Sequence, residues 1–171
     1  LLELGCGLGN DSIYFANQGY TVIGTDFSDA AINQNSQKYK QNPNLSFQIV
    51  DMSKELPFDS AEFDVVYARL SLHYFDDQGT KRLFSEITRV LKSNGIFCFV
   101  CKSTDDPLFG QGEQLEKDMF LRKGHIRHFF SKEYAQECLA DNYTLIVLES
   151  GKENFYGDES GYIKVIARKI K

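Results

Sequence analysis

Short apolar runs alternate along this chain with longer stretches in which apolar and polar residues share helical spacing. The runs near 1-4, 21-25, 45-49, 63-68 and 95-101 are only four to seven residues long and rich in β-branched, leucyl or aromatic side chains, so each is expected to be a strand. Between the last two, Leu83, Phe84, Ile87, Val90 and Leu91 fall on one stripe of a helix, and Asn94-Gly95 predicts a turn into the next strand. Asn10, Asp11 and Ser12 offer a cap for a helix to about Gln18, Ser28-Asp29 for one to about Lys40, and Ser131 for one to about Ala140. This alternation predicts βαβ units around a mostly parallel sheet. Residues 102-130 break the rhythm with Pro107, Gly110, Gly112 and Gly124, and are expected to be irregular with one short helix. Tyr143 to Glu149 and Tyr162 to Ala167 then predict an antiparallel hairpin across a loop rich in Gly, Asn and Asp.

Composition narrows the picture. With 171 residues the chain has the length of a single domain and, being 42% hydrophobic, can build one core. It lacks an apolar run of about 18 residues, so a membrane span is not expected. A net charge of -5 offers no broad basic footprint, so nucleic acid is not the expected partner. Cys6, Cys98, Cys101 and Cys138 follow no secreted-domain framework and no signal peptide precedes them, which points to reduced thiols and a cytoplasmic location. Cys98 and Cys101 sit in one strand candidate, where residues three apart face opposite ways, so no metal site is expected there. The chain opens at Leu1 already inside a strand, so a further N-terminal segment, which could carry a lid, is expected to precede it.

The candidate chemistry begins in the first ten residues. Leu1-Leu2-Glu3-Leu4-Gly5-Cys6-Gly7-Leu8-Gly9-Asn10 runs from a strand into a G-x-G-x-G turn, and Asp26 ends the next strand, where a carboxylate can accept both hydroxyls of a ribose. The third strand likewise closes on Asp51, placed for the exocyclic amine of an adenine. No Lys or Arg occurs from Leu1 to Gln37, and Glu3 lies within the first strand. Such a wall suits a nucleoside with cationic groups, S-adenosylmethionine, better than a multiply anionic dinucleotide.

Those residues, together with Leu56-Pro57-Phe58-Asp59-Ser60-Ala61-Glu62-Phe63-Asp64-Val65-Val66 and Arg89-Val90-Leu91-Lys92-Ser93-Asn94-Gly95, resemble the class I S-adenosylmethionine-dependent methyltransferases over nearly the whole chain. The resemblance is greatest to the small-molecule branch that includes ubiquinone and menaquinone biosynthesis enzymes, and fainter to the tellurite-resistance methyltransferases. It departs at Ser93-Asn94, where that branch usually has Pro-Gly. It implies an α/β, Rossmann-like three-layer sandwich, with a seven-stranded mostly parallel sheet and an antiparallel C-terminal hairpin, making one domain in which 102-130 recognises substrate. It further implies that Gly5, Cys6 and Gly7 approach the methionine part of the cofactor, Glu3 reaches its amino group, Asp26 holds the ribose, and Asp51 takes the adenine amine. Phe27 and Met52 would flank the adenine, and Ala68, Arg69 and Leu70 would line the methyl to be transferred.

Beside the methyl, His73 in Ser71-Leu72-His73-Tyr74 is the candidate general base, with a hydrogen-bonded structural role as the alternative. Tyr74 and Arg127, the latter in the basic cluster Arg122-Lys123-Gly124-His125-Ile126-Arg127-His128, are candidates for contact with the acceptor. The expected activity is methyl transfer to an O, N, S or C nucleophile of a small molecule. Alternatives are a protein or nucleic-acid methyltransferase, although no Asn-Pro-Pro-Tyr type of motif follows the fourth strand, a non-catalytic S-adenosylmethionine-binding domain, and a nicotinamide-dependent oxidoreductase. Monomer and homodimer both stay open.

Overall fold

The apolar runs assemble side by side. A computed structural model, which describes residues 1-155 and 157-170, contains β1 (Leu2–Leu4), α1 (Asn10–Asn17), β2 (Val22–Asp26), α2 (Asp29–Lys38), β3 (Leu45–Ile49), β4 (Phe63–Arg69), α3 (Asp77–Val90) and β5 (Leu91–Lys102). There follow β6 (Glu113–Glu116), β7 (Met119–Arg122), β8 (His125–His128), α4 (Lys132–Leu139), β9 (Tyr143–Phe155) and β10 (Asp158–Lys169). Seven strands form one sheet in the order β3-β2-β1-β4-β5-β10-β9. The first five are parallel, and β10 runs antiparallel to both β5 and β9. This is the expected α/β architecture. From β1 the chain builds outward first to β2 and β3, then returns to place β4 on the other side. The carboxyl ends of β1 and β4 therefore flank the point where an open sheet leaves a crevice.

Alternating positions of β4 assign the layers. Val66 and Ala68 are sealed in a core with Leu83, Phe84, Ile87 and Val90 of α3, and Phe84 meets the rings of Phe97 and Phe99 edge-on at 5.3 and 5.4 Å. Tyr67 points to the other face, where its ring meets Phe15 of α1 at 5.0 Å and its hydroxyl donates to Asp11 at 3.1 Å. One face of the sheet thus carries α1, the other α3. Cys98 is part-exposed and Cys101 fully buried, on opposite faces of β5. None of the described helices is long and apolar enough to cross a membrane.

Several local expectations need correction. Asn10, Asp11 and Ser12 do not cap α1: its N-cap is Gly9 at φ 73°, without a side-chain cap, and the Ser12 hydroxyl is drawn instead to Glu3. Ser28 and Ser131 do cap, accepting from Ala31 N and Tyr134 N. Leu91 continues the apolar stripe of α3 but is already in β5. The chain between Leu91 and Ile96 forms a bulge with Asn94 at φ 63°, because Phe63 pairs with Leu91 and Val65 with Ile96. Residues 102-130 hold no helix; β6, β7 and β8 make a small antiparallel sheet. It has its own apolar nucleus in Phe109, Phe120 and Phe129, and Lys123 and Gly124, at φ 50° and 79°, close the β7–β8 hairpin. Two successive positive φ angles match the twist of paired strands. The final hairpin strands extend well into the expected loop, as far as the pairing of Asp158 with Phe155.

The Leu56-Pro57-Phe58 block is held by one arginine. Arg89 donates to the carbonyls of Phe58 and Leu56 at 2.7 and 2.9 Å and pairs with Glu86, which in turn accepts from Leu56 N at 3.0 Å. Arg89→Ala removes these bonds and strands Glu86, so urea unfolding should show a loss of about 2–3 kcal/mol. Lys92→Ala, which breaks only an exposed pair with Asp64, should cost less than about 1 kcal/mol.

Candidate active site

The turn after β1 is pinned by backbone before any side chain acts. Gly5 N and Cys6 N both donate to the Thr25 carbonyl at 2.8 Å, and Gly9 N donates to Cys6 O at 2.8 Å. Gly5 is at φ 79°, and a Cβ there would fall 2.3 Å from Cβ of Ser71. Ser71 in turn donates its hydroxyl to Leu4 O at 2.6 Å, tying the end of β4 to β1. Asp26 receives Gly7 N at 2.9 Å and Ser28 N at 3.0 Å, one on each oxygen. A carboxylate offers about four acceptor positions, so about half remain free for a ligand's hydroxyls.

Glu3 is the chemically unusual group. It is buried beneath the turn, bonded to the Ser12 hydroxyl, and burial pushes its pKa up to about 7, with Asp11 and Asp26 adding to the rise and Arg69 opposing it. Its anion is ready to be stabilised by a cation.

Two clefts open from this turn. The first, about 540 Å³, has Gly5, Asp26, Phe27, Asp51 and Met52 on its walls together with Leu70, Ser71 and Phe75. Phe27 is 77% exposed, a bare aromatic face beside the cleft. Asp51 is exposed, accepts from Ser53 N at 2.9 Å and lies 3.4 Å from Lys54, contacts that hold its carboxyl below the usual range. The second cleft, about 820 Å³, meets the first at Gly5, Leu70 and Tyr74, and Arg69, Arg122 and Arg127 stand around it.

Most of the expected residues converge here, with exceptions. Ala68 is fully buried among core side chains and faces neither cleft, since alternation along β4 turns it towards α3. Arg69 belongs to the second cleft, its guanidinium 5.1 Å from the ring of Phe155. Cys6 contributes only backbone: its thiol is buried, which pushes its pKa up to about 12. His73 lines the second cleft but is 1% exposed, and its Nδ1 accepts from Lys102 N at 3.4 Å. Burial, with the charges of Arg127 and Lys102, pushes its pKa down to about 3. In that setting the ring is held neutral, with Nδ1 accepting from the backbone of Lys102. Tyr74, half-exposed, stands where the clefts join, and Arg127 lines the second.

Ser71, Phe75 and His125 also line the first cleft and were not among the expected site residues. Ser71 and Phe75 flank the Leu72-His73-Tyr74 turn, so proximity to it was their one signal; His125 arrives through the β7–β8 hairpin.

A mostly parallel sheet with a glycine turn after β1, a carboxylate at the end of β2 and a crevice at the reversal of strand order defines a Rossmann-like α/β domain. A profile described as a methyltransferase domain matches residues 1–95, and the chain belongs to that family. An uncharacterized methyltransferase of Synechocystis sp. is 34% identical over 100 residues, 58% of this chain and 45% of its own length. An mRNA cap guanine-N(7) methyltransferase of Candida glabrata is 31% identical over 112 residues, 57% of this chain and 27% of its own. The chain thus spans less than half the length of these curated relatives. Among solved structures, a SAM-dependent methyltransferase of Methanosarcina mazei superposes with a TM-score of 0.87 at 21% identity, over 99% of this chain and 91% of that one. The 1,6-didemethyltoxoflavin-N1-methyltransferase of Burkholderia thailandensis, solved with 1,6-didemethyltoxoflavin and S-adenosylhomocysteine, superposes with a TM-score of 0.77 at 22% identity, over 99% and 70%.

Because the Glu3 pKa is raised by folding, its contribution to stability is present in acid and is lost as pH rises from the ordinary carboxylate range through about 7. Urea unfolding of the ligand-free protein should show Glu3→Gln gaining stability relative to the parent between pH 5 and pH 8. A constant difference across that range would remove the titration from Glu3.

Proposed function

We propose that this chain binds S-adenosylmethionine in the first cleft and transfers its methyl group to a nucleophilic atom of a small molecule in the second. The observation that carries this reading is the meeting of the two clefts at Gly5, Leu70 and Tyr74, at the carboxyl ends of β1 and β4. The residues fit the cofactor. Asp26 has acceptor capacity left for both ribose hydroxyls, the exposed face of Phe27 offers a surface for the adenine, with Met52 on the cleft wall, and Asp51 can accept the adenine amine. Glu3, beneath the Gly5 turn, would face the methionine ammonium, directly or through water. A Cβ at Gly7 would meet nothing within 4 Å, so this turn presents open backbone.

The bound cofactor supplies a methyl carbon activated by positive sulfur. What this chain's own residues add is alignment of the nucleophile along the line of displacement, an effect that can supply about 7–11 kcal/mol. His73 would shape the acceptor wall as a neutral imidazole, and an acceptor already deprotonated at neutral pH needs no base. The small sheet β6–β8 serves acceptor recognition, and the four free cysteines suit a reducing, cytoplasmic setting. An RNA acceptor is a second reading, favoured by the cap methyltransferase relative and the arginines of the second cleft.

Calorimetric titration of S-adenosylmethionine, S-adenosylhomocysteine and NAD tests the cofactor. The first two should bind and NAD should not, with Asp26→Ala weakening them about 10-fold or more. Affinity should rise with pH through about 7, because an ammonium favours the ionised form of Glu3, and Glu3→Gln should flatten that rise. Binding without conversion of S-adenosylmethionine to S-adenosylhomocysteine by any acceptor would instead mark a non-catalytic domain.

A further inference from the structure

The charges around the second cleft do not balance. Lys102 is paired there with Asp106 at 2.8 Å, the carboxylate fully enclosed and also accepting from Leu108 N and Gly161 N. Glu159, at the rim, pairs with Lys152 at 3.3 Å, and Asp158 is exposed beside it. Arg69, Arg122 and Arg127 are left, and among the described residues none of the three has a carboxylate within 4.0 Å. The Nε of Arg127 is buried with no hydrogen-bond partner among the described residues. An enclosed N–H of a cation without an acceptor is costly, and native proteins leave few such groups.

Their arrangement is directional. In the β7–β8 register Phe120 opposes Arg127 and Arg122 opposes His125, so Arg122 and Arg127 project from one face of the small sheet. Arg69, at the end of β4, comes from the main sheet. Planar guanidiniums from separate elements around one cavity match an oxyanion, which each can grip through two parallel N–H bonds.

Building on the proposed function, we infer that the acceptor carries an anionic group, a carboxylate or a phosphoryl group, held by Arg122 and Arg127 from the small sheet with Arg69 across the cleft. Binding by that group leaves the nucleophilic atom directed to the junction beside Tyr74. The Lys102–Asp106 pair is neutral and positions the wall; it does not compete for the ligand.

The test uses protein saturated with S-adenosylhomocysteine, so that the cofactor's own carboxylate is already accommodated. Phenyl phosphate and benzoate are titrated against neutral benzyl alcohol by calorimetry and by the Arg Nε–H resonances in ¹H–¹⁵N spectra. At least one anion should bind 10-fold or more tighter than the alcohol and shift the Arg127 Nε–H signal; which anion does so separates a phosphoryl from a carboxylate acceptor. Arg122→Gln/Arg127→Gln should abolish that preference while S-adenosylhomocysteine affinity stays within twofold, and Arg127→Lys should retain part of it. Equal binding of anion and alcohol, or anion binding unchanged in the double variant, would overturn the inference. So would a short single-stranded RNA that binds more tightly than either small anion and is lost in the same variant. Should S-adenosylhomocysteine itself not bind, the cofactor reading fails, and the same probes on the ligand-free protein still decide whether the arginines form an anion site.

Discussion

The Thr25 carbonyl, accepting from both Gly5 and Cys6 at 2.8 Å, is the contact on which the working end of this protein depends. It halts β1, holds the turn against the last residues of β2, and fixes where Gly7 N and Asp26 meet. Without it the glycines would be free to wander, and Glu3, Asp26 and the first residues of α1 would have no common frame. Ser71 supplies the matching brace from β4 through its bond to Leu4 O. The crevice is thus defined by a backbone brace from β2 and a side-chain brace from the end of β4, and the closeness of the second explains why only glycine serves at position 5, where any Cβ would collide with Ser71.

Electrostatically the site has two ends. The acidic end gathers Glu3, Asp26 and Asp51, and the basic end gathers Arg69, Arg122 and Arg127, with Tyr74 at the boundary. A cationic cofactor and an anionic acceptor would each meet a complementary wall, and their own charges would draw the reacting groups together across the junction.

What the sequence made legible follows from where the signals are strong. β1 and β2 read as apolar runs because they are buried or half-buried along their whole length, β3 alternates because Ser46 and Gln48 are exposed, and α3 shows its stripe because Leu83, Phe84, Ile87 and Val90 all face one core. Asp26, Asp51 and Glu3 could be read because they sit at strand ends or within a strand. The small sheet was hidden: β6 is exposed along its whole length, so its residues carry no alternation, and its hairpin turns at Lys123-Gly124, a pair that does not advertise itself as Asn-Gly does. The cap of α1 departs from its sequence pattern because tertiary structure claims Ser12 for Glu3. The position of His73 after β4 points to the cleft, but nothing local reveals that the fold encloses it.

Because β6, β7 and β8 form a sheet separate from the seven-stranded one, with a phenylalanine nucleus of their own, under the proposed function Arg122 and Arg127, which would face the acceptor, could drift without disturbing the glycine turn and the carboxylates that would grip the nucleoside. Exchanging the outward side chains of a single short hairpin would alter which molecule is accepted while the glycine turn and its carboxylates stayed as they are. In such a scaffold, selection can diversify one half of the reaction and conserve the other.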